Sequence, residues 1–426
     1  MVNVIITGGG WSGCAAAIAA AKAGADVTLL ERTDMLLGTG LAGGIFRNNG
    51  RFTAAEEAIA MGGGDLFVAM DANSRHKNIT FPGHNHASLY DVTTMEPLIR
   101  KVLMTYGIQV IFRTRAIDAV KYGKRLKALV LDNGEVLPGD VFVDATGSAG
   151  PMGNCIKYGN GCSMCVLRCP SFGPRVSVTA KCDVKELMGQ KADGSFGAMS
   201  GSCKLNKDSL SLEIREKLDK EGAVVIPIPP NQVKTSCLGK KACSQYAIPE
   251  YADNIVLLDT GHAKLMTPFM PIDEIRSIPG LERARYEDPY SGGIGNSIRY
   301  LGIAPCDRTL KVDGMENVFA GGEKSGIFVG HTEAVITGLL AGNNAVRHCL
   351  DMDYLTLPDT LASGDIIQFT HKQMESPEGM RFRYTFSGSV YFERMKERNL
   401  YSSNRYVIQE RVAQSGLIDV YNTCLV

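Results

Sequence analysis

The chain has no surplus of either charge: Lys+Arg and Asp+Glu both number 45 in 426 residues. No overall field therefore attracts nucleic acid or an anionic membrane, which leaves only a local basic patch as a route to either. No apolar run reaches the roughly 18 residues that cross a bilayer, so no membrane-spanning segment is expected. The sequence starts almost directly with an apolar strand, without a basic and apolar leader, so no export signal is expected and a cytoplasmic location is. Tryptophan is nearly absent, with Trp11 alone, and the first 150 residues hold one cysteine, Cys14, of the twelve. In such a chain cysteines read as thiols, metal ligands or redox groups rather than as a secreted disulfide framework. What remains is ordinary: 45% apolar residues can bury a full core, over about two or three domains.

The most informative stretch is VIITGGGWSGCAAAIAAAKAGADVTLLER, residues 4–32. An apolar strand runs into Gly8-x-Gly10-x-x-Gly13, then an Ala-rich helix, then a second strand ending in Glu31. That is a dinucleotide-binding fingerprint in its proper setting. Gly8 allows the tight turn, Gly10 lets the backbone approach a pyrophosphate, and Gly13 lets helix and strand pack closely. The helix N-terminus offers free N–H groups to phosphate, and Glu31 would take ribose hydroxyls. Trp11 and Ser12 lie inside the turn, with Trp11 expected to shield it, and Arg32 follows the acid. The glycine-rich loop after Glu31, with Gly38, Thr39 and Gly40, is of the type that wraps a cofactor beyond its pyrophosphate.

Further along, residues 54–70 and 93–106 predict helices. Two strand-like runs follow, IQVIFRTRAIDAVKY, which contains Ala116, and a second one with an Asn133-Gly134 hairpin turn. The strand VFVDATG ends in Ala145, Thr146 and Gly147, small residues where backbone and cofactor nearly touch. From 151 to 285 Cys, Pro and Gly rise and no dinucleotide motif occurs, with helical segments over 206–221. Residues 310–349 resume the first pattern: a strand to Ala320, a turn with Gly322 and Glu323, then Gly330, His331 and Thr332 opening a long helix. Its N-terminus would favour negative charge developing on a flavin. Three separated segments, 4–32, 139–147 and 317–346, fit one extended cofactor, which argues for FAD over NAD. The expected fold is α/β: a glutathione-reductase-like FAD-binding Rossmann domain (1–150 and 286–350) with an inserted α+β substrate domain (151–285). A charged and aromatic extension (351–426) is expected on the outside or at a homo-oligomer interface.

The phrases IRSIPGLERAR (275–285) and VFAGGEKSGIFVGHTEAVITGLLAGNNAV (318–346) resemble the GidA/MnmG and TrmFO flavoproteins, and Cys169-Pro170-Ser171 is similar to a motif of GidA's inserted domain. The resemblance implies a tightly bound FAD that passes reducing equivalents from NAD(P)H to a uridine in tRNA or rRNA. It often also implies transfer of a one-carbon unit from methylenetetrahydrofolate. Where the family carries a cysteine near the flavin, this sequence has Gly38-Thr39. The family's AGQ has become Ala320-Gly321-Gly322-Glu323, and no counterpart of GidA's long helical C-terminal domain is expected.

Cys155, Cys162, Cys165 and Cys169 crowd into fifteen residues, and three readings stay open. They could hold an iron-sulfur cluster, although a ferredoxin run needs a cysteine where Gly159 stands. Cys162, Cys165, Cys237 and Cys243 could hold zinc, with one loose spacing. Or no metal is bound and they are free thiols, with Cys169 the catalytic thiolate that the resemblance implies, activated by a neighbour such as Arg168 or Arg175. His331 is the second catalytic candidate, for proton exchange beside the flavin, against a plain capping role. His84 and His86 share a strand face but lack a third metal ligand. Arg47, Asn48, Asn49 and Arg51 form a polar cluster that could hold an anionic group or be a solvated loop. Two other functions fit the same residues: a small-molecule flavin reductase or dehydrogenase fed by an iron-sulfur cluster, and a flavin-bearing binding protein without turnover.

Overall fold

The computed structural model describes residues 2–148, 168–196, 198–200, 203–240, 244–266, 270–287, 297–299 and 302–426. Its centre is a five-stranded parallel sheet in the order β5-β4-β1-β2-β3, formed by β1 (Asn3–Thr7), β2 (Asp26–Glu31), β3 (Gln109–Phe112), β4 (Val141–Asp144) and β5 (Val318–Ala320). Ile6 pairs with Leu29 on one side and Val143 on the other. The inner strands are unbroken apolar runs such as Val4-Ile5-Ile6 and Val141-Phe142-Val143, all buried, as a parallel sheet covered on both faces requires. Parallel neighbours need a crossover, and helix α1 (Trp11–Lys22) supplies the first.

Against α1 packs the long helix α2 (His331–Cys349). Small residues allow the two backbones to touch. A Cβ on Gly338 would run into the Ser12 carbonyl oxygen, and one on Gly342 into that of Ala16. The Ala-rich sequence of α1 is the other half of that contact, and it brings both helix N-termini to the same edge of the sheet.

Several predicted elements change shape for local reasons. The helix expected over 54–70 is two helices, Gly50–Ala60 and Asp65–Ala72, because Gly62 adopts φ +81° and is followed by Gly63 and Gly64. The run IQVIFRTRAIDAVKY splits at Arg113 (φ +54°) into β3 and a separate strand Ala116–Tyr122. That strand begins a three-stranded meander, whose Arg125–Leu131 and Val136–Pro138 are joined through Asn133-Gly134 as expected. The helix over 206–221 begins only at Leu212, capped by the Ser211 hydroxyl, which accepts from Ile214 N.

Between β4 and β5 lies a four-stranded antiparallel sheet, in the order Cys203–Leu205, Ala263–Leu265, Asn254–Asp259, Ala223–Pro227, covered by the helix Leu212–Glu221. It has its own core, including Leu205, Leu218, Ile255, Leu257, Leu265 and Ile275. Another cluster, Phe81, Leu89, Tyr246, Tyr251 and Val256, joins it to the small sheet of strands Ile45–Phe46, Ser74–Phe81 and His84–Tyr90.

The last 76 residues depart from the expected peripheral position. Tyr384, Phe386, Tyr391, Met395 and Tyr421 are buried in the same core as β1 and α1. Helix Ala362–Met374 has no side-chain cap of its own. The buried carboxylate of Glu57, on helix Gly50–Ala60, instead accepts from Ala362 N and Ser363 N, both at 2.8 Å. Among the described residues no helix is long and apolar enough to cross a membrane.

Candidate active site at the sheet edge

The C-terminal ends of β1, β2, β4 and β5 open on one long groove, where the N-termini of α1 and α2 also converge. Ligands in open parallel sheets bind at this edge. The glycines there do two kinds of work. Gly8 takes φ +102° and leaves no room for a Cβ against the Ala145 carbonyl, and Gly13 is pressed onto the Gly8 carbonyl. Gly10, Gly38 and Gly147 also line the groove, but a Cβ on any of them would meet nothing within 4 Å. They present bare backbone to the groove. Ser12 Oγ, in the first turn of α1, is buried with no hydrogen-bond partner, and so is Thr332 Oγ1 in the first turn of α2. Neither helix has a side-chain cap. The unclaimed Ser12 donor at the N-terminus of α1, along a cradle of glycine backbone that the N-terminus of α2 also reaches, fits an extended, anionic dinucleotide.

At one end, Glu31 accepts from Gly9 N through Oε2 and from Thr33 N through Oε1, both at 2.8 Å. A carboxylate has about four lone-pair sites, so its capacity for hydroxyl groups is only partly used. Arg32 Nη1 donates to Gly173 O at 2.5 Å, and Arg168 pairs with Asp34 at 2.6 Å, which holds the Asp34 carboxyl below its ordinary range. Ala116 and Arg115 complete this end.

In the middle, the Thr146 hydroxyl donates to Asp144 Oδ1 at 2.6 Å and accepts from Arg175 Nη1 at 3.2 Å. Ser148 Oγ donates to Glu323 Oε2 at 2.8 Å, beside Gly322. Behind this loop the fully buried Lys324 donates to Ser177 Oγ at 2.7 Å and meets Glu186, with Asp144 at 4.0 Å. Asp144 is held below its ordinary range: Lys324 is the largest influence opposing the cost of its burial, and the Thr146 hydrogen bond adds to it.

At the other end, His331 opens α2 with its ring 5.7 Å from that of Trp11 and 6.0 Å from that of Tyr90. The Tyr90 hydroxyl donates to Gly40 O at 3.1 Å and lies 3.4 Å from His331 Nδ1. Gly43 is pressed onto the imidazole with no room for a side chain. Gly330, with φ +135°, precedes it, and Thr39 lies on the same loop as Gly40.

Most of the residues read from the sequence thus meet in one place: Gly8, Gly10, Trp11, Ser12, Glu31, Arg32, Gly38, Thr39, Ala116, Ala145, Thr146, Gly147, Gly322, Glu323, Gly330 and His331 all line the groove. Gly13, Gly40 and Thr332 stand behind it, packing against the elements that do. Cys169 is not brought to His331. It begins a four-residue helix next to Arg168 and is buried at the Glu31–Asp34 end without lining the groove. Cys155, Cys162, Cys165 and Cys243, and the side chain of Cys237, lie outside the described residues, and the cluster and zinc readings with them. Among the described residues no group of three metal-ligating side chains occurs. Cys14, Cys169, Cys182, Cys306, Cys349 and Cys424 are free thiols, and burial pushes Cys182 up to about 12 and Cys349 up to about 11.

The polar cluster past the glycine loop is neither solvated nor open. Arg47 is locked onto Glu56 at 2.6 Å and onto Asp71 at 2.6 and 2.7 Å, and Asn49 donates to Ser387 O and Gly83 O. Asn48 donates to Nδ1 of His84, a buried ring whose pKa falls to about 3 through burial and the nearby Arg51. Of the four, Arg51 alone lines the groove, bound to the buried Glu333 of α2 at 3.2 Å. Sequence reading missed Lys264 and Lys324, and it named Arg175 only as an activating neighbour for Cys169. Lys264 is a lone cation inside the short strand Ala263–Leu265, and its register against Lys204 is a property of the sheet, not of either segment.

Comparison with known proteins agrees with this geometry. A family model described as FAD dependent oxidoreductase matches residues 3–151, and one described as Glucose inhibited division protein A matches residues 259–353. The tRNA uridine 5-carboxymethylaminomethyl modification enzyme MnmG of Chlorobaculum tepidum is 33% identical over 26% of this chain and 17% of its own length. The methylenetetrahydrofolate–tRNA-(uracil-5-)-methyltransferase TrmFO of Thermus thermophilus is 32% identical over 27% of this chain and 25% of its own. The alignments therefore span a quarter or less of these relatives. The structure of Aquifex aeolicus GidA superposes with a TM-score of 0.66 at 16% identity, covering 97% of this chain and 76% of that one, which shows a shared fold. The chain is thus similar to FAD dependent oxidoreductases over its first third, and it resembles GidA/MnmG and TrmFO.

Proposed function

We propose that this chain holds FAD along the groove and, in the cytoplasm, modifies a uridine in RNA, with NAD(P)H as reductant and methylenetetrahydrofolate as one-carbon donor. The observation that supports it most is the pair of uncapped helix N-termini facing one glycine-lined groove, in a chain whose matched relatives are named for tRNA uridine modification. Gly8, Gly10 and Ser12 would hold the pyrophosphate at α1, Glu31 the ribose hydroxyls, and Thr146, Gly147 and Glu323 the stretch between. When bound, the flavin supplies hydride transfer. His331 can hold or release a proton at Nδ1 beside the Tyr90 hydroxyl, and the N-terminus of α2 favours negative charge at this end. Cys169 is the candidate thiolate that the resemblance implies.

Two measurements test the reading. Purified protein should carry releasable flavin, and colourless protein with none overturns the whole proposal. Flavin-loaded protein given NAD(P)H should transfer label from methylenetetrahydrofolate to tRNA. Loaded protein that neither binds RNA nor transfers label keeps the cofactor assignment and overturns the RNA reaction in favour of a small-molecule substrate. A Cys169→Ala variant that still transfers label removes Cys169 from the chemistry.

A further inference from the structure

Two lysines of the inserted sheet stand directly opposite one another: Lys204 on strand Cys203–Leu205 and Lys264 on strand Ala263–Leu265 are cross-strand partners. Both ammonium groups reach the same glycine loop. Lys204 Nζ donates to Leu41 O at 3.1 Å, and Lys264 Nζ donates to Ala42 O at 2.6 Å and to Gly43 O. These carbonyls end the short 3-10 turn Gly38–Ala42, so the two lysines act as its C-terminal cap from another part of the chain. Gly43 is in turn the residue pressed onto His331.

The lysines differ in one respect that matters. Lys264 is 6% exposed and lines the groove at the His331 end, together with Gln245, Tyr246 and Met266, whereas Lys204 is not part of the lining. Lys204 ties the loop from behind. Lys264 does the same and also places a cation inside the groove, in a water-poor setting where charge acts strongly. Arg51, bound to Glu333, and the N-terminus of α2 reach the same end.

Resting on the reading of the groove as a flavin site, we propose that Lys264 sets the redox equilibrium of the bound flavin, its fixed charge favouring the reduced, anionic form. The insert then does more than cover the cofactor: its sheet delivers both the loop and the charge. A cation near the reacting ring is one of the levers by which a protein tunes a flavin.

The test compares holoprotein with Lys264→Met, Lys264→Arg and Lys204→Met by spectroelectrochemical titration of the flavin. K264M is expected to shift the oxidised-to-reduced equilibrium at least about tenfold toward the oxidised form, about 30 mV for a two-electron couple. K264R should restore it, and K204M should leave it unmoved while lowering thermal stability. A potential unchanged in loaded K264M, or moved as much by K204M, overturns the proposal and leaves both lysines as loop ties. Should K264M fail to fold, the unmodified holoprotein answers by another route. Sulfite adds through sulfur to an oxidised flavin and leaves the ring anionic, so reversible bleaching of the visible band by sulfite is expected and its absence overturns the proposal. Protein that holds no flavin at all sinks the proposed function instead, and this inference with it.

Discussion

Ser12 and His84 show how much one side chain can reveal. The Ser12 hydroxyl is buried without a partner at the start of α1, a state that natural structures leave only where something else completes it. Ser12→Ala should therefore leave the flavin-free protein as stable as before. It should weaken FAD binding roughly 10- to 100-fold, the range for a hydrogen bond to a charged group. Calorimetric titration of the flavin-free protein measures this, and an unchanged affinity would contradict the placement of the pyrophosphate. His84 makes a different case, a buried ring whose Nδ1 accepts from Asn48 while its Nε2 has no hydrogen-bond partner. Its folded pKa of about 3 lies below the ordinary 6.5, so between those values the unfolded chain binds a proton that the folded one refuses. Stability from this site is complete above pH 6.5 and is lost as pH falls toward 3, by at most about 1.4 kcal/mol per pH unit. In urea titrations from pH 7 to 5, the stability gap between the natural protein and His84→Gln should narrow as pH falls. A constant gap would show that His84 titrates normally.

At the scale of elements, the contact of α1 with α2 decides whether a groove exists. Gly338→Ala would drive a methyl group into the Ser12 carbonyl oxygen, and overpacking of this kind typically costs about 1–3 kcal/mol. Because the obstructed backbone belongs to the first turn of α1, the variant should lose flavin before it loses its fold. A thermal scan monitored by both flavin fluorescence and circular dichroism would separate the two events, and coincident transitions would refute this order. Much of this element pair was legible beforehand, since Gly8-x-Gly10-x-x-Gly13 and the Ala-rich run that follows dictate a strand, a turn and a thin helix. The triple glycine at 62–64 was equally plain as a break, but a periodicity reading carried the helix through it. The lysine clasp was not legible, because Lys204 and Lys264 are 60 positions apart and become neighbours only through sheet register. Nor was the place of Cys169, because the adjacent Arg168 pairs with Asp34, a residue far upstream in the chain.

For the whole molecule, the tail matters more than its composition suggested. Charged and aromatic residues after 350 read as a surface, yet Tyr384, Phe386 and Tyr391 complete the main core, and Thr385 Oγ1 and Phe386 N both donate to Glu333 of α2. A chain ending at residue 350 would uncover those aromatic contacts and leave Glu333 with Arg51 as its remaining partner. It should be insoluble or bind a hydrophobic dye as a partly ordered state. Soluble, cooperative unfolding of that truncated chain would show the tail to be dispensable.

The position of β5 carries a last implication, for birth rather than function. Its neighbour β4 ends at Asp144, but β5 starts at Val318, so the sheet stays one strand short until the whole intervening sheet has been made. A ribosome adds roughly 5–20 residues per second, which leaves the apolar edge of β4 without a partner for something like ten seconds or more. During that interval the nascent chain has a turn fit for phosphate but no second helix to complete the groove. Cofactor capture therefore belongs after α2 has been made, and the unpaired edge is where a chaperone would be needed.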